Sequence, residues 1–357
     1  MGVFDEIGAE SHERVVVGHD PATGLQAIIA IYSTDLGPAL GGTRLFPYPS
    51  DEAALTDVLR LSKAMALKAA AAGLNLGGGK AVIIGDRSTV SDDLWHSYGR
   101  FIDSLGGAYI TAEDVGTTTE DMRLIGEETK WVVGRSPEDN GVGDPSPATA
   151  RGVVRAMQAV SDHLWNDQSL HGRRVAVQGV GKVGSALVQL LAEHEAEVVI
   201  ADINPAAADR MVDQYGVKVV GTEDILSEEC DILAPCSLGG ALNPESIPTL
   251  RCGAVVGSAN NQLASDADAD RLAEAGILYV PDFVANAAGV IHVAAEVDGF
   301  DMELVESRIN GIYDAVLRIL ERATQDNLTP NEAAVRVAED RIRRDGNGVT
   351  FRHGGQT

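Results

Sequence analysis

The stretch Gln178-Gly179-Val180-Gly181-Lys182-Val183-Gly184 decides the fold of this 357-residue chain. It contains the pattern G-x-G-x-x-G, follows an apolar run and opens a helical pattern, which is the context that indicates a dinucleotide site. In this interpretation Gly179 permits the tight turn, Gly181 lets the pyrophosphate approach the backbone, and Gly184 lets helix and strand pack closely. Lys182 and Val183 begin the helix whose N-terminus faces the phosphates.

The residues around this stretch predict a parallel sheet. From about residue 173, short apolar runs alternate with helical patterns, as in sheets that carry helices on both faces. The predicted strands are 175–178, 198–201, 217–220, 232–234, 254–257 and 277–280. Asp202 ends the second of these, where a carboxylate hydrogen-bonds the ribose hydroxyls of NAD and repels the 2′-phosphate of NADP. No arginine immediately follows Asp202, so NAD is the expected cofactor.

The N-terminal part contains a second glycine-rich stretch, Gly77-Gly78-Gly79-Lys80. Three successive glycines favour a turn where the main chain passes close to a ligand. Lys80 then stands at the start of a buried strand, where a lysine needs a partner or a lowered pKa and becomes a candidate acid or base. Lys68 lies near the end of a helix predicted from residue 51 to about 72. Two lysines that converge on one pocket indicate an anionic substrate.

Composition narrows the class of protein. The chain has 28 Lys and Arg against 53 Asp and Glu, a formal net charge of −25, which disfavours nucleic acid and membrane surfaces as partners. Its three cysteines lack C-x-x-C spacing, so we expect reduced thiols and no metal site. No signal-peptide pattern or apolar run of membrane-spanning length is present, so a cytoplasmic location is expected. The length favours two domains.

Several motifs together carry a resemblance to a known family. They are Pro38-Ala39-Leu40-Gly41-Gly42-Thr43-Arg44, the Gly77–Lys80 stretch, Thr111-Ala112-Glu113-Asp114-Val115-Gly116-Thr117 and Pro281-Asp282-Phe283-Val284-Ala285-Asn286. In order and spacing the chain resembles the Glu/Leu/Phe/Val dehydrogenases over residues of about 10 to 345. The leucine dehydrogenases are the most similar members, followed by the valine dehydrogenases.

The resemblance implies an α/β fold of two domains with a cleft between them. Residues 1–145 would form an α/β domain for substrate binding and oligomerisation, joined by a C-terminal helix at about 326–345. Residues 146–325 would form a doubly wound, Rossmann-type NAD-binding domain. The polar, glycine-rich residues 346–357 are expected to be disordered. The family assembles into homo-oligomers, often octamers, and we expect the same here.

The implied activity is the reversible, NAD-dependent oxidative deamination of a branched-chain L-amino acid (leucine, valine or isoleucine) to the 2-oxo acid and ammonium. By resemblance, Lys80 is the catalytic lysine that activates water, and Asp114 is its proton-exchange partner. The remaining roles fall on Lys68 and Asn261 for the substrate carboxylate, on Gly41 for backbone contacts to the substrate, and on Thr149 and Asn286 for the nicotinamide amide.

Substrate preference is expected to follow from Leu40. Glutamate dehydrogenases carry a lysine at this place, and a leucine cannot hold a side-chain carboxylate, whose unpaired burial is costly. The residues that match the family's side-chain pocket are apolar: Leu40, Met65, Ala112, Val290 and Val293. Two alternatives stay open, a phenylalanine dehydrogenase and a non-catalytic NAD-binding regulatory protein. Ala288 and His292 depart from the family pattern and bear on turnover and exact preference.

Overall fold

The computed structural model describes residues 11–237 and 239–346. Their fold divides into two compact units. The first unit comprises the residues up to Asp144, the segment Val293–Asp301 and the residues from Ala338 onward; the second comprises Pro145–His292 and Met302–Val337. Relative to the expected boundaries, Val293–Asp301 groups with the N-terminal unit, and the C-terminal segment joins that unit from Ala338 instead of from about residue 326. The functional assignment of the two domains stays a prediction, and the expected disorder of 346–357 falls, beyond Gly346, outside the described residues.

The first unit is built on a mixed sheet. Its elements are β1 (Arg14–Asp20), β2 (Leu25–Ser33), β3 (Ala39–Phe46), α1 (Asp51–Ala71), β4 (Gly77–Ile84), α2 (Asp92–Asp103), β5 (Tyr109–Glu113) and α3 (Thr119–Gly126). Among the described strands of this sheet the order is β1-β2-β4-β3-β5. Strand β3 is parallel to both β4 and β5, whereas β2 is antiparallel to β1 and β4.

The glycine run lies inside a strand, and its interpretation as a turn was wrong. Gly77, Gly78 and Gly79 are the first residues of β4. The reason is tertiary packing, because α1 presses directly on this strand. A Cβ atom on Gly78 would lie 2.1 Å from the backbone nitrogen of Ala66 on α1, far inside van der Waals contact. Glycine is therefore required here to let helix and strand approach.

The second unit is a doubly wound parallel sheet. The elements after Asp144 are α4 (Ser146–Trp165), β6 (Arg174–Gln178), α5 (Lys182–Glu193), β7 (Glu197–Ala201), α6 (Pro205–Tyr215), β8 (Lys218–Val219), β9 (Cys230–Pro235), β10 (Cys252–Val255), α7 (Ala267–Glu274), β11 (Leu278–Tyr279), α8 (Asp282–Ala285), α9 (Ala288–Ala294), α10 (Met302–Asp326) and α11 (Pro330–Asp345). Within the described chain the strand order is β11-β10-β9-β6-β7-β8.

Counted from β6 as the first strand, this order reads 3-2-1-4-5-6, which is the Rossmann arrangement. All neighbouring strands run parallel. The six strands predicted from the sequence are confirmed, and their ends agree within two residues. The α/β fold class is confirmed as well.

The last helix, α11, fastens the C-terminal end of α1. The Arg341 guanidinium donates to the carbonyl oxygens of Ala70 (3.0 Å) and Leu74 (2.8 Å) and to the side-chain oxygen of Asn75 (3.0 Å). The final carbonyls of a helix have no partner within it, and a cation there also matches the helix dipole. Arg341 therefore stabilises the end of the helix that carries Lys68.

No helix in the described part of the chain combines the length and apolar character needed to cross a bilayer. The cytoplasmic location stays a prediction.

Candidate active site

A buried lysine and an aspartate meet at the centre of the first unit. Thr43 on β3 lies opposite Ala81 on β4 and opposite Glu113 on β5, so Lys80 and Asp114 flank β3, each one residue away from the level of Thr43. The Lys80 side chain is 6% exposed, and its Nζ lies 2.9 Å from Oδ1 of Asp114. An ammonium buried to this extent is tolerated only when a counter-charge compensates for its lost hydration.

Burial and charge set the protonation of the pair. Burial lowers the pKa of Lys80, and the positive charge of Arg44 lowers it further, while Asp114 opposes both. For Asp114, burial alone would raise the pKa, but Lys80 and Arg44 outweigh it and hold the pKa below its ordinary value. A carboxylate that stays ionised beside a lysine that deprotonates easily is suited to proton exchange.

Arg44, Asp57 and Tyr48 complete this cluster, and the sequence reasoning did not single them out. Arg44 donates from Nε to Oδ2 of Asp114 (2.9 Å) and from Nη1 to Oδ2 of Asp57 (2.8 Å). The Tyr48 hydroxyl donates to the same Asp57 oxygen at 2.6 Å. Arg44 closes the quoted motif at 38–44, but Asp57 is on α1 and only the fold brings the two together.

The other predicted substrate residues of the first unit surround the same strands. Leu40 is 1% exposed and lies opposite Gly78 in the β3–β4 register. Met65 and Lys68 are half-buried on α1, one turn apart. They flank Ala66, the residue that α1 presses against β4.

Gly41 and Ala112 are two further predicted substrate residues of the first unit. Gly41 lies on β3, and its carbonyl oxygen accepts a hydrogen bond of 2.5 Å from the Tyr109 hydroxyl. Ala112, on β5, is half-buried and pairs with Gly42. Val293, in the segment that groups with this unit, is also half-buried. The hydroxyl of Tyr109 therefore fixes the peptide group of Gly41.

The second unit contains the predicted dinucleotide loop. Gly179 follows β6 with φ +93°, the left-handed region that favours glycine, and a Cβ at Gly184 would lie 2.0 Å from the Gly179 carbonyl oxygen. Gly181 precedes α5, whose first residues are Lys182 and Val183. No described side chain caps this helix, and a Cβ at Gly181 would meet no described atom within 4 Å. The helix start without a side-chain cap and the open backbone fit a pyrophosphate.

Asp202 closes the same loop from the end of β7. Its Oδ2 accepts a hydrogen bond from the backbone N–H of Val180 (2.7 Å), and its Oδ1 accepts one from that of Asn204 (2.7 Å). The side chain is half-buried. Each oxygen retains lone-pair capacity for a ribose hydroxyl. The carboxylate is thus held in position by the glycine loop that it adjoins.

Asn286 has a buried acceptor that no described residue uses. Its amide nitrogen donates to the Ser258 carbonyl (3.1 Å) and to Oδ1 of Asn260 (2.8 Å), whereas its buried Oδ1 has no hydrogen-bond partner among the described residues. Buried acceptors are nearly always satisfied, so an orphaned oxygen indicates a ligand donor. Thr149 is also buried, and a Cβ at Gly289 would lie 2.7 Å from its hydroxyl. These residues fit the carboxamide of NAD.

The remaining predicted residues of the second unit have different surroundings. Val290 is buried on α9, whereas Asn261 is exposed in a turn with φ +53°. Ala288 is fully buried, and a Cβ on Gly152 would lie 2.6 Å from its methyl carbon. The missing side chain of Gly152 therefore makes room for the methyl group by which Ala288 departs from the family pattern.

Comparisons with known proteins identify a family that matches most of the chain. The family model for the Glu/Leu/Phe/Val dehydrogenase dimerisation domain matches residues 12–131, and the Glutamate/Leucine/Phenylalanine/Valine dehydrogenase model matches 141–208 and 201–345. The chain is 48% identical to a leucine dehydrogenase of Thermoactinomyces intermedius, with 96% of this chain and 94% of the relative covered.

Two further relatives are dehydrogenases named for other amino acids. A valine dehydrogenase of Streptomyces virginiae is 50% identical, with 93% of this chain and 94% of the relative covered. The crystal structure of L-tryptophan dehydrogenase from Nostoc punctiforme is 43% identical with a TM-score of 0.88, and the match covers 96% of this chain and 99% of that one.

Proposed function

The chain belongs to the Glu/Leu/Phe/Val dehydrogenase family, and from this premise we propose which of its residues carry out the reaction. The protein is an amino-acid dehydrogenase that deaminates branched-chain L-amino acids oxidatively with a nicotinamide cofactor. The observation that carries the catalytic assignment is the buried Lys80–Asp114 pair, with 2.9 Å between Nζ and Oδ1.

NAD is the proposed cofactor. The glycine loop, the uncapped start of α5 and the orphaned Oδ1 of Asn286 support a dinucleotide in the second unit. Asp202 favours NAD over NADP, because a fixed carboxylate repels a 2′-phosphate while it accepts hydrogen bonds from two ribose hydroxyls. The nicotinamide ring would supply the acceptor for the hydride that leaves the substrate Cα.

The protein's own residues supply the proton chemistry. After loss of the hydride the substrate carries an iminium group. Water must lose a proton as it adds to the iminium carbon. Lys80 in its neutral form accepts that proton, and burial favours this form by lowering the pKa of Lys80. Asp114 then exchanges protons with Lys80 through Oδ1 and delivers one to the departing amine.

Substrate binding is assigned to Lys68, Asn261 and Gly41. Lys68 would pair with the α-carboxylate, with Asn261 assisting, and Gly41 would offer its backbone to the substrate. The half-burial of Lys68 on α1 supports this role, since a partly desolvated ammonium attracts a carboxylate more strongly than an exposed one does.

The mechanism is tested with a matched pair of variants. We expect Asp114→Asn to lower kcat for leucine by about a hundredfold or more, because it removes a proton-transfer group. Glu113→Gln changes the neighbouring, exposed carboxylate and should leave the rate unchanged. A folded Asp114→Asn enzyme with a near-normal rate would show that the assigned mechanism is wrong.

The pocket is proposed to favour leucine, valine and isoleucine. Leu40 and Val290 are both buried. Neither side chain carries a charge that could pair with a side-chain carboxylate of the substrate. Rates of NADH formation with NAD⁺ and leucine, valine, isoleucine, phenylalanine, tryptophan or glutamate test this. We expect a branched-chain substrate to be fastest and glutamate to be inactive.

An aromatic L-amino acid is the second candidate substrate. The similarity to the Nostoc punctiforme L-tryptophan dehydrogenase, at 43% identity, favours it. In the same panel, phenylalanine or tryptophan turning over tenfold faster than leucine would replace the branched-chain assignment.

A homo-oligomer, an octamer by family resemblance, is the proposed assembly. The match of residues 12–131 to a dimerisation domain supports association through the first unit. Light scattering after size-exclusion chromatography gives the subunit number, and a monomer at assay concentration would contradict the proposal.

A further inference from the structure

Arg44 lies beside the catalytic pair, and the mechanism above gives it no task. Its Nε donates to Oδ2 of Asp114 at 2.9 Å, whereas Lys80 uses the other oxygen, Oδ1, at 2.9 Å. The two oxygens of Asp114 are thus divided between two cations. The Arg44 side chain is only 20% exposed, so these contacts are largely shielded from water.

Arg44 is itself held from the opposite side. Its Nη1 donates to Oδ2 of Asp57 on α1 at 2.8 Å, and the same oxygen accepts the Tyr48 hydroxyl at 2.6 Å. Arg60 reaches the other oxygen of Asp57 at 3.3 Å, but its side chain is 64% exposed. A planar guanidinium bonded to two carboxylates has little freedom to rotate. The position of Asp114 is therefore tied, through Arg44, to α1.

We propose that Arg44 is a positioning residue for the deamination: anchored by Asp57, it occupies Oδ2 of Asp114 and turns Oδ1 alone toward Lys80. This role rests on the proposed functions of Lys80 and Asp114. Since Oδ2 is occupied by a permanent cation, the proton that Asp114 exchanges with Lys80 is confined to Oδ1.

The charge of Arg44 acts on both members of the pair in one direction. It adds to the burial that lowers the pKa of Lys80, and it helps Lys80 to hold the pKa of Asp114 below its ordinary value. The other titratable groups that face this cluster are Tyr48 between β3 and α1, Asp57 on α1 and Tyr109 on β5. Loss of Arg44 therefore raises both pKa values.

The decisive measurement is the pH profile of kcat/KM for leucine oxidation by the full-length enzyme. In Arg44→Gln we expect the ascending limb to move to higher pH by about half a unit to one unit, because the positive charge that helps to lower the pKa of Lys80 from the far side of Asp114 is lost. Arg60→Gln is the matched control: it removes a guanidinium that also contacts Asp57 but is exposed, and its profile should coincide with that of the wild type.

Arg44→Lys keeps the positive charge but changes its geometry. We expect this variant to fold, because a cation remains between the two carboxylates. An ammonium cannot bridge both in the same plane, so we expect the limb to stay near its wild-type position while kcat falls about tenfold or more and KM changes little. This variant decides the question should Arg44→Gln fail to fold.

The outcomes are distinct. An unmoved limb in folded Arg44→Gln, or a wild-type kcat in Arg44→Lys, overturns the role of Arg44 while the enzyme's activity stands. No oxidation of any amino acid by the wild type and by Arg60→Gln would overturn the proposed function, and the role of Arg44 with it.

Discussion

Replacing Lys80 by methionine separates the effect on catalysis from the effect on stability. Methionine matches the lysine stem in length and removes only the ammonium. Attraction across the 2.9 Å between Nζ and Asp114 is about 6 kcal/mol at an effective dielectric constant of ~20. Burial nevertheless lowers the pKa of Lys80, so the lost hydration outweighs this attraction.

Two magnitudes follow for Lys80→Met. Asp114 keeps its bond to Arg44 and is not left as an orphaned charge, so the free energy of unfolding should change by no more than about 2 kcal/mol. The rate should fall far more. Loss of the group that takes the proton from water costs about a thousandfold in kcat, which equals about 4 kcal/mol of activation free energy.

The assay combines NADH formation from leucine and NAD⁺ with urea unfolding of the same preparation. Lys130→Met is the control, since it makes the same substitution at an exposed lysine in the same unit. It should leave kcat unchanged and lower the free energy of unfolding by no more than about 1 kcal/mol, the value of the contact between Lys130 and the Trp131 ring. A folded Lys80→Met enzyme whose kcat lies within tenfold of the wild type would refute the assigned base. A loss of stability well above 4 kcal/mol would refute the energetic reasoning instead.

Three further predictions concern separate features. First, kcat/KM for leucine should rise with pH and level off below 10.5, the ordinary pKa of lysine, because the lowered pKa of Lys80 makes its neutral form available earlier; a limb at or above that value in a pH series would contradict it. Second, Asp202→Ser should raise KM for NAD⁺ about tenfold and reduce the preference for NAD⁺ over NADP⁺, since the ribose hydrogen bonds and the repulsion of the 2′-phosphate are lost together. Steady-state rates with both cofactors measure this, and an unchanged ratio of kcat/KM for the two cofactors argues against the role of Asp202. Third, Arg341→Gln should lower the free energy of unfolding by about 2–3 kcal/mol, because buried carbonyl oxygens lose a charged donor; in urea titrations the exposed Arg343→Gln is the control, and equal stabilities of the two variants would contradict this.

The sequence predicts the second unit well because its signals are local. Alternating apolar runs, the glycine pattern and Asp202 at a strand end all lie within short windows, and the Rossmann topology follows from the general rules for parallel sheets. Lys80 and Asp114 are also found from short motifs. Their separation of 2.9 Å follows from the β3 register, which the motifs do not encode.

In the first unit, the features that local sequence patterns do not predict lie where elements distant in the chain meet. Gly78 reads as a turn residue by intrinsic preference, yet the approach of Ala66 on α1 places it in a strand, so packing overrides propensity. Arg44 was visible at the end of a quoted motif, but its task depends on Asp57, which comes from another element. Arg341 carries no local signal, because its acceptors are mainly backbone carbonyls that any sequence supplies.

The bonds of Arg341 have a consequence for synthesis on the ribosome. Its acceptors at Ala70 and Leu74 precede it by 271 and 267 positions. At elongation rates of about 5–20 residues per second, the C-terminal end of α1 is synthesised roughly 15 to 50 seconds before Arg341, which binds it. The first unit therefore emerges first and completes last, and during this interval the helix that carries Lys68 lacks its contact with Arg341. Slower translation lengthens that exposure, and folding assistance that acts on the N-terminal part of the chain should matter most for the yield of active enzyme.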